Sequence, residues 1–182
     1  MFQAFYKIPA LALCVMLLGA AAPGIWLDVP FVRQKKDGCG AASVSMVIQY
    51  WNKQGDPTLA ARADPPAIQD ALYSRDAHGI FASAMERYFE ESGFRTYAFK
   101  GDWADLKGHL SKGRPLIVCL KEGGRGGPLH YVVVAGLDWE ENVAFLNDPA
   151  RRKLLRADRT SFEKSWKAAG NWALLALPEQ DK

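Results

Sequence analysis

The sequence predicts an α+β domain in which helices come first and an antiparallel sheet follows. Three observations carry that expectation. From Ala41 onward, Val44, Val47, Ile48 and Trp51 recur at helical spacing and form one apolar stripe. After Pro115 the pattern changes to continuous apolar runs, Leu116 to Leu120 and Tyr131 to Leu137, which read as buried strands. The turn Trp139–Asn142 separates the second run from Val143 to Asn147, so those two strands read as a hairpin.

The other elements follow in order. Trp26 to Val32 is a short extended segment whose Pro30 argues for an edge or irregular position. Gly38-Cys39-Gly40 is a turn, and Gly55-Asp56-Pro57 ends the first helix. Pro65 to Gly93 reads as two helices broken near His78-Gly79, with Ile68, Ala71 and Leu72 on the first and Ile80, Ala84, Tyr88 and Phe89 on the second. Arg95 to Phe99 is expected as a strand, Trp103 to Leu110 as a helix ended by Gly113, and Glu122 to Pro128 as a glycine-rich loop. Lys153 to Leu155 reads as a further strand, Ser161 to Ala168 as a helix and Trp172 to Leu177 as a last strand.

Composition narrows the function classes. The chain has 182 residues, 49% of them hydrophobic and 24% charged, which fits one domain of ~100–200 residues and excludes a disordered chain. A net charge of +3, dispersed along the sequence, gives no support to nucleic acid or an anionic membrane surface as partner. The sequence holds no GxxxxGK[ST] phosphate loop, which argues against nucleotide-driven transport.

Residues 1–22 read as a signal peptide, with residues 23–182 as the domain. Ile8 to Ala22 carries no charge and follows Lys7; this is short for a spanning helix and suits the apolar core of a secretory signal. Ala20-Ala21-Ala22 supplies small residues for cleavage. The expectation is an exported protein, periplasmic or extracellular, with no stable membrane span after cleavage. If the segment is kept, it is a membrane anchor. Cys14 lies inside the apolar run and reads as a hydrophobic filler. Export leaves Cys39 and Cys119 as the cysteines of the mature chain, and an oxidising compartment would favour a disulfide between them.

Four residues offer chemistry. Cys39 stands between two glycines at the start of a helix, where unpaired N–H groups and the positive helix end favour an anion. His130 opens a strand directly after the glycine-rich loop. Asp148, in Asn147-Asp148-Pro149, returns near His130 if the two strands pair as a hairpin. Gln34, shortly before Cys39, can donate its amide to an oxygen that becomes negative beside the sulfur. Each alone has a plain structural explanation. Together they supply an oxyanion donor, a nucleophile, a base and an orienting carboxylate in chain order.

Val29-Pro30-Phe31-Val32-Arg33-Gln34, Cys39-Gly40-Ala41-Ala42-Ser43, His130-Tyr131-Val132-Val133-Val134 and Asn147-Asp148-Pro149 resemble the bacteriocin-processing, double-glycine-type cysteine peptidases. The resemblance is closer to their stand-alone relatives on the papain-like fold, and it spans roughly Leu27 to Leu177. It implies Cys39 as nucleophile, His130 as general base and acid, Asp148 as its orienter and Gln34 in the oxyanion hole. It also implies a peptide or protein substrate and no cofactor. Transporter-fused members cut leader peptides after a Gly-Gly or Gly-Ala pair in the cytosol. This chain departs from them in its export signal and in a Gln34–Cys39 spacing one residue shorter.

The expected function is therefore an exported cysteine peptidase working through a thioester acyl-enzyme. The alternatives are a papain-like amidase or transglutaminase acting on cell-wall or amine substrates, and a non-catalytic peptide-binding module. A nucleophile cannot be tied up in a disulfide, so Cys39 and Cys119 are both expected free, with Cys119 buried mid-strand. His78 and His109 show no ligand spacing and read as helix-surface residues, and no metal site is expected.

Overall fold

A computed structural model describes residues 24–55, 57–121, 123 and 127–179 of the chain. The segment expected to be a signal, residues 1–22, lies outside these, as do Glu122 and residues 124–126 of the glycine-rich loop.

The first strand, β1 (Gly24–Trp26), is shorter than the extended segment the sequence suggests and lies earlier in the chain. Beyond it Leu27 N still donates to Ala135 O at 2.7 Å, but Pro30 follows and regular pairing stops. Helix α1 (Cys39–Lys53) begins at the cysteine itself. Every residue from Gly40 to Ile48 is buried, so α1 runs through the core rather than along its surface. A 3-10 helix (Pro57–Arg62), α2 (Pro65–Leu72) and α3 (Ala82–Glu91) complete this half. Pro65 at the first helical position and Asp64, whose carboxylate accepts from Ala67 N at 3.0 Å, fix the start of α2. The α2–α3 break is a tight turn closed by the Ser74–Gly79 bridge. His78 sits in that turn with φ 45° rather than on a helix.

The strands are β2 (Phe94–Lys100), β3 (Leu116–Lys121), β4 (Leu129–Asp138), β5 (Val143–Asn147), β6 (Leu155–Asp158) and β7 (Trp172–Pro178). They form one antiparallel sheet in the order β2-β7-β3-β4-β5-β6, and β1 pairs with the far end of β4. Helices α4 (Trp103–Leu110) and α5 (Arg159–Ala168) cover the face opposite α1 and α3. Alternation along β3 serves both cores: Ile117 and Cys119 face α1 and α3, while Leu116 and Val118 face α4 and α5. A bulge between Val134 and Gly136 moves Leu137 into the α4–α5 core. Gly136 is required there because a Cβ would lie 2.6 Å from Ile25 O and 2.7 Å from Trp26 Cβ.

Among the boundaries that differ from the sequence expectation, two have a clear local reason. Strand β6 starts at Leu155, two residues later than expected, because Asn147 Oδ1 holds Leu154 N at 3.0 Å in the preceding loop. Helix α5 starts at Arg159, two residues earlier, because Asp158 caps it by accepting from Ser161 N at 2.9 Å. His109 is also not a plain surface residue: it is half-buried on α4, its ring tilted against Phe99 at 5.8 Å, and burial pulls its pKa down.

Candidate active site

The start of α1 sets up the first half of the site. Gly38 N donates to Lys35 O at 3.1 Å, closing a turn in which Asp37 takes φ 56°. The helix has no side-chain cap at Gly38, and its first internal bond is Ala42 N to Gly38 O at 3.0 Å. The amides of the first turn therefore lack intrahelical partners at the position of Cys39. Gly40 lets the α2–α3 segment close against the helix, since a Cβ there would meet the Ile80 side chain at 3.0 Å.

The second half comes from the β4–β5 pair. Val133 is opposite Asn147, so continuing the register by one residue sets Asp148 opposite Val132, diagonal to His130 on the same face. His130 Nε2 is 2.8 Å from Asp148 Oδ1. Both are buried, at 7% and 3% exposure. Asp148 Oδ1 also accepts from Ala150 N at 2.9 Å, and Arg151 Nε stands 3.4 Å from Oδ2.

Nε2 is engaged by the carboxylate, which leaves Nδ1 as the nitrogen for the thiol, and Cys39 lies close enough to the His130 ring to help raise its pKa. Burial alone would pull the His130 pKa down. The bonds to Asp148 and then Cys39, with their charges, outweigh it and raise the pKa to about 9. Burial would raise Asp148, but the bond and charge of His130 hold its carboxyl below the usual range. The two shifts agree on an imidazolium against a carboxylate at neutral pH.

Cys39 and Cys119 are both free thiols. Cys119, 4% exposed on β3, is pushed up to about 11 by burial and by the neighbouring Cys39. Gln34 is tied to the Asp148 loop through its backbone, with Gln34 N donating to Pro149 O at 3.0 Å. It lines a pocket of about 300 Å³ with Gly38, Ala41, Pro65 and Gln69. Its Oε1 is buried without a partner among the described residues. The fold thus brings His130 and Asp148 into contact with Cys39 acting on the same ring, and ties the Gln34 backbone to the loop that carries Asp148.

Two residues in the site had no role assigned from the sequence. Asn147, fully buried, donates from Nδ2 to Val29 O and accepts at Oδ1 from Leu154 N, both at 3.0 Å, and so clamps the loop carrying Asp148. Gln69 on α2 faces the Gln34 pocket, its Oε1 3.5 Å from where a Gly38 Cβ would stand. Asn147 is the first residue of the Asn147-Asp148-Pro149 motif, whereas nothing in the sequence around Gln69 signals a role. Among the described residues there is no cluster of side chains able to hold a metal, and no helix long and apolar enough to cross a membrane.

A helix carrying a cysteine at its N-terminus against an antiparallel sheet, with helices on both faces, is the papain-like cysteine peptidase fold of the C39 domains. The chain superposes on the peptidase domain of Streptococcus ComA, a bi-functional ABC transporter, with a TM-score of 0.65 and 21% identity over 83% of this chain and 99% of that one. A double glycine motif protease from an AMS/PCAT transporter, solved in complex with the leader peptide, gives 0.63 and 24% over 85% and 94%. A C39-like peptidase from Bacillus anthracis gives 0.63 and 16% over 87% and 99%. The profile of the Peptidase_C39 like family matches residues 26–174, and the chain belongs to that family. A shorter match, 46% identical over 46 residues, joins 25% of this chain to 18% of the uncharacterized protein YvpB of Bacillus subtilis. Family and fold support a cysteine peptidase-type function.

Proposed function

We propose that this chain is an exported cysteine peptidase that hydrolyses peptide bonds through Cys39, His130 and Asp148. The observation that carries the reading is the buried His130–Asp148 bond of 2.8 Å with the Cys39 thiol on the same ring. The proton of Cys39 is already held on the His130 imidazolium, and the sulfur attacks the peptide carbonyl. The resulting oxyanion is held by the Cys39 N–H and the Gln34 amide; one such donor is worth about 10²–10³ in kcat. The imidazolium gives its proton to the leaving amine, and a thioester remains. His130 then draws a proton from water, which attacks the thioester and frees the enzyme. Asp148 keeps the ring oriented and charged-competent throughout. A peptide substrate is supported by the structural neighbour held in complex with a leader peptide. Export rests on the uncharged stretch Ile8 to Ala22 and the alanines that end it.

The test is hydrolysis of quenched-fluorescent peptide libraries by wild type beside Cys39→Ala, with a thiol-directed electrophile as a second readout. Turnover by wild type, its loss in the variant and labelling confined to Cys39 are expected. Equal labelling of Cys39 and Cys119 in the folded protein, with no hydrolysis, would overturn the reading. N-terminal sequencing of the exported protein tests the cleavage after Ala22.

A further inference from the structure

Cations that the sequence scatters are gathered by the fold at the edge of the candidate site. Arg33, Lys35 and Lys36 lie between β1 and α1, and Arg151 and Arg152 between β5 and β6. Gln34 and Asp148 belong to these same two loops. The loops are joined by Gln34 N to Pro149 O at 3.0 Å and by Arg33 Nη2 to Arg151 O at 3.1 Å. All five cationic side chains are exposed.

Some cations elsewhere are paired: Arg156 meets Glu141 at 2.6 Å, Arg159 meets Glu163 at 3.0 Å and Lys153 meets Asp28 at 2.7 Å. Among the described residues no carboxylate pairs with Arg33, Lys35, Lys36 or Arg152. The acids nearby are otherwise engaged or few. Asp148 is buried against His130 and Arg151, Asp37 approaches the Tyr73 hydroxyl at 3.5 Å, and Asp70 faces the Gln34 pocket from α2. The edge of the cleft over Gln34 and Asp148 is therefore a cationic ridge.

We infer that the substrate is a peptide carrying Asp or Glu residues on the side of the scissile bond that crosses this ridge. The inference rests on the peptidase reading above and adds the charge of what the site selects. Exposed charges act mainly by raising the local concentration and encounter rate of a complementary chain. They are screened as the Debye length falls from ~10 Å at 0.1 M salt to ~3 Å at 1 M. The preference therefore belongs in kcat/KM and fades with salt.

The experiment uses matched fluorogenic peptides with one common core and three flanking residues, all Glu, all Gln or all Lys, placed on either side of the cleavage point. At low salt the Glu peptide is expected to exceed the Lys peptide by about 10-fold in kcat/KM for one of the two placements. The difference should shrink several-fold in 1 M NaCl. A protein carrying Lys35→Glu, Lys36→Glu and Arg152→Glu should reverse the order. If that protein fails to fold, Lys35→Gln, Lys36→Gln and Arg152→Gln should level it. Equal rates for all three peptides, or an order untouched by the substitutions, overturns the inference. Fluorescence anisotropy of the same peptides on Cys39→Ala reads the charge preference without chemistry. Failure of hydrolysis with preference retained on Cys39→Ala counts against the peptidase reading and not against the ridge.

Discussion

His130 Nε2 and Asp148 Oδ1 meet at 2.8 Å beneath the surface, 7% and 3% exposed, at the open end of the β4–β5 ladder. The contact joins the last residues that sheet register positions to the first residue of a loop. Chemistry at the site depends on both.

Asp148→Asn tests the contact directly. Without the carboxylate the imidazole loses its principal stabilising partner while its burial remains, so its titration midpoint should fall from about 9. Hydrolysis should drop by about 10²–10⁴. The ring-proton shifts of His130 followed by NMR against pH check the first outcome, and kcat/KM the second. A midpoint unchanged by the substitution would show that Asp148 does not hold the ring.

Stability should vary with pH in a stated direction. The raised pKa of His130, from 6.5 to about 9, stabilises the fold fully below pH 6.5, where the ring is protonated folded or unfolded. That stabilisation is lost as pH rises through about 9, with a slope of up to about 1.4 kcal/mol per pH unit between the two values. Asp148 works at the other end. Its lowered pKa gives stability present above about 3.8 and lost as pH falls through the depressed value. Urea unfolding from pH 3 to 10, with His130→Gln as reference, measures both limbs. A wild-type curve parallel to the variant's above pH 6.5 would exclude the basic limb.

The two thiols should differ in reactivity. Cys119 is 4% exposed and its pKa is about 11. At neutral pH it holds about 300-fold less thiolate than an ordinary cysteine near 8.5. Iodoacetamide should leave it unmodified in the native protein and reach it in denaturant. Cys119→Ala should keep full hydrolytic activity, as mass spectrometry and rate assays on the same sample would show.

Asn147→Ala should loosen the loop that presents Asp148. It removes bonds to Val29 O and Leu154 N, each 3.0 Å, and leaves one buried and one part-buried backbone group unpaired at a cost of about 1–3 kcal/mol. A lower urea midpoint together with a fall in kcat at nearly constant KM is expected. Full activity with the same stability loss would show that Asn147 holds the fold and not the site.

Much of the fold was legible because its signals are local. The stripe Val44, Val47, Ile48 and Trp51 sits on α1, and the run at Leu116 becomes β3. Asn147 and Asp158 show why boundaries were harder: a side-chain clamp or a cap moves a strand or helix end by two residues without changing the apolar pattern. His109 read as a surface residue because its burial against Phe99 comes from β2, a separate element. In the site, the residue types at Cys39, His130 and Asp148 were legible from their neighbours, but their meeting was conditional on a hairpin. The Val133–Asn147 register supplies that condition.

The amino-acid order by itself determined which segments coil or extend, and which side chains could serve as nucleophile, base and carboxylate, because periodicity and residue chemistry are properties of neighbours along the chain. The tertiary structure decided what those side chains face. It clamped the Asp148 loop through Asn147, shut Cys119 away from water and drew Arg33, Lys35, Lys36, Arg151 and Arg152 onto one edge. Distances between residues far apart in sequence are set by sheet register and layer packing, and so are the desolvation and charge that follow from them.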